Sequence, residues 1–140
     1  MRADDHFLFL KNLYRKAPNN KYYDPAMILE FGKARIQIKV QEKFFHAAGS
    51  VHGSVYFKLL DDAAYFAAAT QEQNFFLFTA NFETKLLRPV REGLMIADGE
   101  VIEENDKGYI ARSIIRDEKG QLLAKGQGLF MPSAIVLQGL

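Results

Sequence analysis

The chain has no cysteine and no tryptophan among its 140 residues. Without cysteine there is no disulfide, no thiolate metal site and no cysteine nucleophile, which suits a reducing compartment. No stretch approaches the roughly 18 apolar residues of a membrane span. The beginning, MRADDHFLFLKNLYRK, sets acids early and breaks its short apolar run at Lys11, which argues against a secretory signal. Neither sign of charge dominates: the net charge is +1, so a general nucleic-acid or membrane surface is not indicated. Repeats, low-complexity tracts and linkers are absent, and proline is scarce. These absences leave one domain working in the cytoplasm, over residues 1–140, with hydrophobic residues at 49%, enough for a core. Twelve Phe and six Tyr make it aromatic-rich, for packing or for lining an apolar groove.

Residues 4–16 carry Phe7, Leu10 and Tyr14 at helical spacing, with Asp4 and Asp5 available to cap the start. Residues 17–25, APNNKYYDP, read as loop. Over 33–45 the period becomes two, with Ile36, Ile38 and Val40 on one face and Arg35, Gln37 and Lys39 on the other, which predicts a strand. From Ser54 to about Thr70 the apolar residues cover nearly the whole helical circumference, so this helix should be wrapped by protein. Four strands follow at 75–85, 94–104, 109–117 and 121–131. The middle pair is joined by NDKG, a hairpin turn with glycine where positive φ is cheap, and Pro132 halts the last. The expected class is α+β: an antiparallel sheet of about five strands around a long central helix, with a short N-terminal helix. Such a small sheet leaves a face and an edge to cover, so association with a second copy is expected.

The chemistry gathers where the buried helix begins. A helix N-terminus offers unpaired N–H groups and partial positive charge, able to polarise a carbonyl oxygen. Gly53 lets a substrate approach that backbone without a Cβ in the way. Asp61 and Asp62 lie about two turns further in and, being successive helix residues, point about 100° apart, so one at most faces a given site. A desolvated carboxylate has a raised pKa and is a better base near neutrality. Alternatively the acids pair with Arg or Lys from a strand, or cap a neighbouring element. The nine residues from His52 to Asp61 rise about 13 Å, so one thioester-sized group touches both a Gly53 amide and an Asp61 carboxylate only if they come from different subunits.

HGSVYFKLLDDAAYFAA resembles the H-G-G…D…A element of hotdog-fold acyl-CoA thioesterases of the phenylacetate-pathway and 4-hydroxybenzoyl-CoA thioesterase type. The segment FTANFETKLLRPVREGLMIADGEVIEENDKGYIARSIIRDEKGQLLAKGQGLF is similar to that family's second half, and together the likeness covers roughly residues 33–131. It implies a hotdog fold and hydrolysis of an acyl-CoA, aryl or medium-chain fatty acyl. Asp61 matches the catalytic carboxylate, nine residues after the motif histidine, His52; Asp62 is then a structural neighbour. Gly53 matches the glycine whose N–H polarises the thioester carbonyl, Thr79 the Ser/Thr that helps hold the attacking water, and Gly53 and Asp61 come from opposite subunits. His46 stands where the family often has an asparagine that orients substrate or water, and Ser54 replaces the second glycine and can cap the helix. Arg88, Arg91, Lys107 and Gly108 fall on connections that the likeness sets near the tunnel mouth, suited to the phosphates of CoA. Tyr56, Phe57 or Tyr65 would meet the acyl end. No metal and no cofactor beyond the CoA of the substrate is implied, and the expected assembly is a homodimer, paired into a dimer of dimers. Two other readings stand beside it: a non-catalytic acyl-CoA-binding module, and a hotdog hydratase or dehydratase pairing Asp61 with His46 across the interface.

Overall fold

A computed structural model describes residues 2–140. The N-terminal helix, α1 (Ala3–Lys16), begins one residue before the expected start; Asp4 and Asp5 sit in its first turn, where they complement the helix dipole, but no side chain caps it. Its buried seam is His6, Leu10 and Tyr14, spaced four apart, so His6 takes the inward place expected of Phe7. The His6 ring is fully buried because its Nε2 reaches the Ala69 carbonyl at 2.8 Å.

The expected loop at 17–25 contains a single helical turn, α2 (Asn20–Tyr23), held by a hydrogen bond from Asn20 Nδ2 to the Tyr14 carbonyl at 2.8 Å. A strand absent from the sequence reading follows, β1 (Ala26–Glu30), so the sheet has six strands rather than about five. It turns at Gly32, whose φ is +75°, and pairs with β2 (Lys33–Lys39). β2 keeps the expected alternation but stops at Lys39, short of 45; a 3-10 turn at Glu42–Phe44 then buries Phe44.

The central helix, α3 (Gly53–Ala69), buries ten of its residues, as its apolar circumference requires. Antiparallel strands β3 (Phe75–Leu86), β4 (Leu94–Asn105), β5 (Gly108–Arg116) and β6 (Leu122–Val136) complete a sheet of order β1-β2-β4-β5-β6-β3. β6 runs through Pro132 rather than halting there. Its pairing with β5 ends at Phe130, so beyond that residue it has only β3 as neighbour, and a missing N–H is tolerated on a single-sided stretch. The residues after Pro132 are therefore largely strand as well, leading to the buried Leu137.

The core lies between the sheet's inner face and α3. Small residues allow close approach: a Cβ at Gly99 of β4 would strike the Ala63 carbonyl. Ser113 of β5 donates to the Leu60 carbonyl at 2.7 Å, tying sheet and helix together with a buried hydrogen bond. On its other side α3 carries α1, with the Tyr14 ring edge-on to Phe66 at 4.8 Å. No helix among the described residues is long and apolar enough to cross a membrane.

Candidate active site

His52 caps α3. Its extended backbone (φ −64°, ψ 145°) turns into the helix while Nδ1 accepts the Ser54 N–H at 3.0 Å. The expected cap, Ser54, thus sits inside the first turn and bonds Nδ1 with its hydroxyl at 2.8 Å. With its Nδ1 lone pair used as an acceptor, the neutral His52 ring carries its proton on Nε2, facing outward. Gly53 is the first helical residue, and its N–H has no acceptor among the described residues. A Cβ there would come within 3.2 Å of Leu86 Cδ1, so only a hydrogen leaves the approach to that amide open.

Asp61 lies two turns along, facing β3. Thr79 Oγ1 donates to Asp61 Oδ1 at 2.9 Å. A register irregularity between Thr79 and Asn81 turns β3 locally, a common device where a strand must aim a side chain. Burial raises the Asp61 carboxyl from 3.8 to about 6; the Thr79 hydrogen bond opposes this, the Asp62 charge adds to it, and Lys58 opposes it. One oxygen of this carboxylate is held by a hydroxyl, and its proton affinity is close to neutral pH. That combination suits a base.

Asp62 points elsewhere. Its Oδ2 binds Lys58 Nζ at 2.7 Å, one helical turn back, and accepts the Tyr14 hydroxyl of α1 at 2.7 Å. Its cation thus lies on the same helix, not on a strand as expected. The Lys58–Asp62 spacing of four was readable from sequence; Tyr14, 48 residues from Asp62, was not.

His46 is folded into its own loop: Nδ1 accepts the Ala48 N–H and Nε2 meets Ser50 Oγ, each at 3.0 Å. No hydrogen bond joins it to Asp61. The connection carrying Arg88 and Arg91 is fixed beside the mouth of α3 by Val51 N–H to Val90 O (2.9 Å) and Tyr56 hydroxyl to Arg88 O (2.8 Å), with both arginines exposed. Lys107 and Gly108 form the β4–β5 turn at the opposite end of α3, where neighbouring Tyr109 bonds Glu72 at 3.1 Å. Within one chain, these four phosphate candidates therefore do not converge. Gly108 has a φ of +146°, as the glycine of that turn requires. Of the three aromatic candidates, Tyr56 is a core residue and Tyr65 bonds the Leu77 carbonyl at 2.7 Å; Phe57 is exposed and edge-on to Phe82.

A hollow of about 1130 Å³ lies on the sheet's solvent side among Arg35, Asp98, Glu100 and Arg112, and contains none of the expected site residues. These four charges are already paired, Arg35 with Asp98 and Arg112 with Glu100. No group of three or more His, Cys, Asp or Glu among the described residues is arranged to hold a metal.

The fold has known counterparts. Two proteins of Saccharolobus solfataricus, provisionally named esterases, are 25% identical over 127 residues (89% of this chain, 91% of theirs) and 28% identical over 103 residues (74% and 69%). Among solved structures, the PaaI protein of the Escherichia coli phenylacetic acid degradation operon superposes with a TM-score of 0.86 at 17% identity, covering 96% of this chain and 97% of that one. A thioesterase family protein from Silicibacter pomeroyi gives 0.83 at 17% identity, covering 94% and 98%. These likenesses establish the hotdog fold. The family model of the Thioesterase superfamily matches residues 48–124, from the loop before α3 into β6 and more than half of the chain, and on that match the chain belongs to the thioesterase superfamily.

Proposed function

We propose that this thioesterase hydrolyses acyl-CoA thioesters at two equivalent sites, each shared between two copies of the chain. The observation that carries the reading is the Asp61 carboxylate, held by Thr79 and raised to about 6, beside the open edge of β3. β3 is an edge strand of 12 residues with exposed Phe75, Phe78 and Leu86, an edge that otherwise invites uncontrolled pairing. Pairing it antiparallel with its two-fold copy, centred near Phe82 and Glu83, sets Thr79 of one chain opposite Leu86 of the other. Leu86 neighbours Gly53, and Thr79 holds Asp61. The pairing thus supplies the juxtaposition that about 12 Å of helix rise denies to a single chain.

In this site the thioester oxygen lies on the Gly53 N–H of one subunit, at the positive end of α3, with His52 Nε2–H at the same mouth. The Thr79 hydroxyl donates its hydrogen bond to Asp61, so its lone pairs are left to accept a hydrogen bond from water and hold it near the carboxylate. Asp61 takes a proton from that water as its oxygen bonds to the acyl carbon. The oxyanion collapses, the C–S bond breaks, and the proton passes from Asp61 to the leaving sulfur, giving a carboxylic acid and free CoA thiol. Direct attack by Asp61, through an anhydride, is the competing route; ¹⁸O found in Asp61 after a single turnover in ¹⁸O-water, with none in the product, marks the anhydride, because water acting under general-base catalysis never enters the carboxylate. Arg88 and Arg91 flank the mouth for the CoA phosphates, and Phe57 with Phe82 offers an apolar wall to the acyl group. Hydration or dehydration would need His46 to meet Asp61 across the interface, and both His46 ring nitrogens are already engaged, by Ala48 and Ser50 of its own loop. Further pairing into a dimer of dimers and a cytoplasmic setting belong to the same proposal.

Release of free thiol from a panel of aryl- and fatty-acyl-CoAs tests it. Activity in the native protein, lost in Asp61→Asn with the dimer and CoA binding retained, is the expected result. Wild-type turnover in Asp61→Asn, or a monomer with full activity, overturns the mechanism; tight CoA binding without turnover in the native protein would instead identify a binding module.

A further inference from the structure

The geometry points to a second functional unit behind the carboxylate: Lys58, Asp62 and Tyr14 form a positioning cluster that fixes the turn of α3 carrying Asp61 and sets the charge balance around it. This rests on the reading of Asp61 as the acting base, and it extends that role to residues of the N-terminal helix that touch no substrate.

The cluster draws on three elements. Asp62 Oδ2 receives Lys58 Nζ and the Tyr14 hydroxyl, both at 2.7 Å. The Lys58 ammonium also stands over the rings of Tyr14 and Tyr23, 5.3 Å and 5.2 Å from their centroids, so α1 and α2 enclose it. The side chains of Lys58 and Asp62 are only 11% and 14% exposed. An ion pair this far from water contributes little stability compared with apolar side chains of similar size, which leaves its presence unexplained by folding alone. Its position supplies a reason. Lys58 precedes Asp61 by three residues and Asp62 follows it directly, so both charges sit within one turn of the reacting carboxylate.

The two charges act in opposite directions on Asp61, Asp62 favouring its protonated form and Lys58 its ionised form. The other groups around the two carboxylates are Thr79 from β3, Tyr65 on α3, Tyr14 on α1 and Tyr23 on α2. The tyrosines stay neutral, since burial pushes the hydroxyls of Tyr14, Tyr23 and Tyr65 upward. Lys58 is therefore the one cation in the balance among the described residues, and Asp62 its counterweight. By gripping Asp62, the Tyr14 hydroxyl keeps that counterweight in place and makes α1 part of the apparatus.

The test is the pH dependence of kcat/KM for acyl-CoA hydrolysis in the intact protein. Asp62→Asn removes the negative charge and leaves Lys58 unopposed, so the acidic limb moves down by about one pH unit; Lys58→Met moves it up by a similar amount. The double variant returns close to wild type, and KM changes little throughout because none of the three residues meets substrate. Tyr14→Phe keeps the shape of the ring but releases Asp62, so it provides the readout if a single charge variant folds poorly; with the counterweight loosened its limb falls by about half a unit, in the direction of Asp62→Asn. Shifts in the same direction, or unmoved limbs, in Asp62→Asn and Lys58→Met overturn the cluster's role, and an unmoved limb in Tyr14→Phe overturns the part assigned to α1. The underlying reading fails separately: it falls if Asp61→Asn retains wild-type hydrolysis, whatever the other variants do.

Discussion

Replacing Asp61 by Asn should remove activity and at the same time make the protein more stable, by an amount that depends on pH. Burial raises the carboxyl from 3.8 to about 6, a change of roughly two units, and each unit is worth about 1.4 kcal/mol. A carboxyl whose folded-state pKa is raised favours the fold in its protonated form. That contribution is complete below pH 4 and is lost as pH rises through about 6. The ionised side chain therefore penalises the native state by up to about 3 kcal/mol at pH 8; residual solvent at this half-buried position brings the expected figure to about 2 kcal/mol. Asn is nearly isosteric, its Oδ1 still accepts the Thr79 hydroxyl, and it does not titrate. Urea denaturation followed by circular dichroism, at one protein concentration so that any association contributes equally, should show the variant matching wild type near pH 4. It should gain about 2 kcal/mol by pH 8, or about 5 °C in melting temperature. A difference independent of pH, or a variant less stable than wild type at pH 8, would refute the claim that this carboxylate is held desolvated for use.

Thr79→Val keeps the side-chain shape but removes the one hydrogen bond that lowers the Asp61 pKa, so the acidic limb of kcat/KM should rise by about one pH unit with little loss of stability; an unmoved limb would separate Thr79 from the base. Gly53→Ala inserts a methyl against Leu86, whose flexible tip can yield, so folding should survive while kcat falls about tenfold or more as access to the amide narrows. By contrast, Gly99→Ala directs its methyl into the Ala63 carbonyl and Ala64 nitrogen of α3, backbone that cannot step aside. A loss of about 3 kcal/mol or more, read by thermal melting, is expected there without any direct effect on the chemistry.

The elements legible in the sequence were those whose cause is local. α3 declared itself because apolar and small residues run around its whole circumference, and the NDKG turn because glycine is needed at its last position, where φ is +146°. Asp61 could be singled out from Asp62 only through the family likeness; the structure adds the physical difference, a strand hydroxyl for one and an ion pair for the other. β1 escaped notice because AMILE is five residues long, carries no clear alternation, and owes its strand state to pairing with β2. Pro132 misled for the opposite reason: proline ends a strand only where both sides need donors, and β6 has lost β5 by then. His6 displaced Phe7 from the seam of α1 because the Ala69 carbonyl lies there to receive it, a partner 63 residues away that no window along the chain could contain.

The order of strands has a consequence for how the protein is made. β3 is third along the chain but last in the sheet, and its sole neighbour within the chain is β6, residues Leu122–Val136. While the ribosome is still short of those residues, α3 can coil and β1, β2, β4 and β5 can meet, yet Thr79 has no sheet to belong to. The mount of Asp61 is thus completed only once β6 has been made, by closing a long-range pairing, and this step is exposed to delay or to mispairing with another nascent copy.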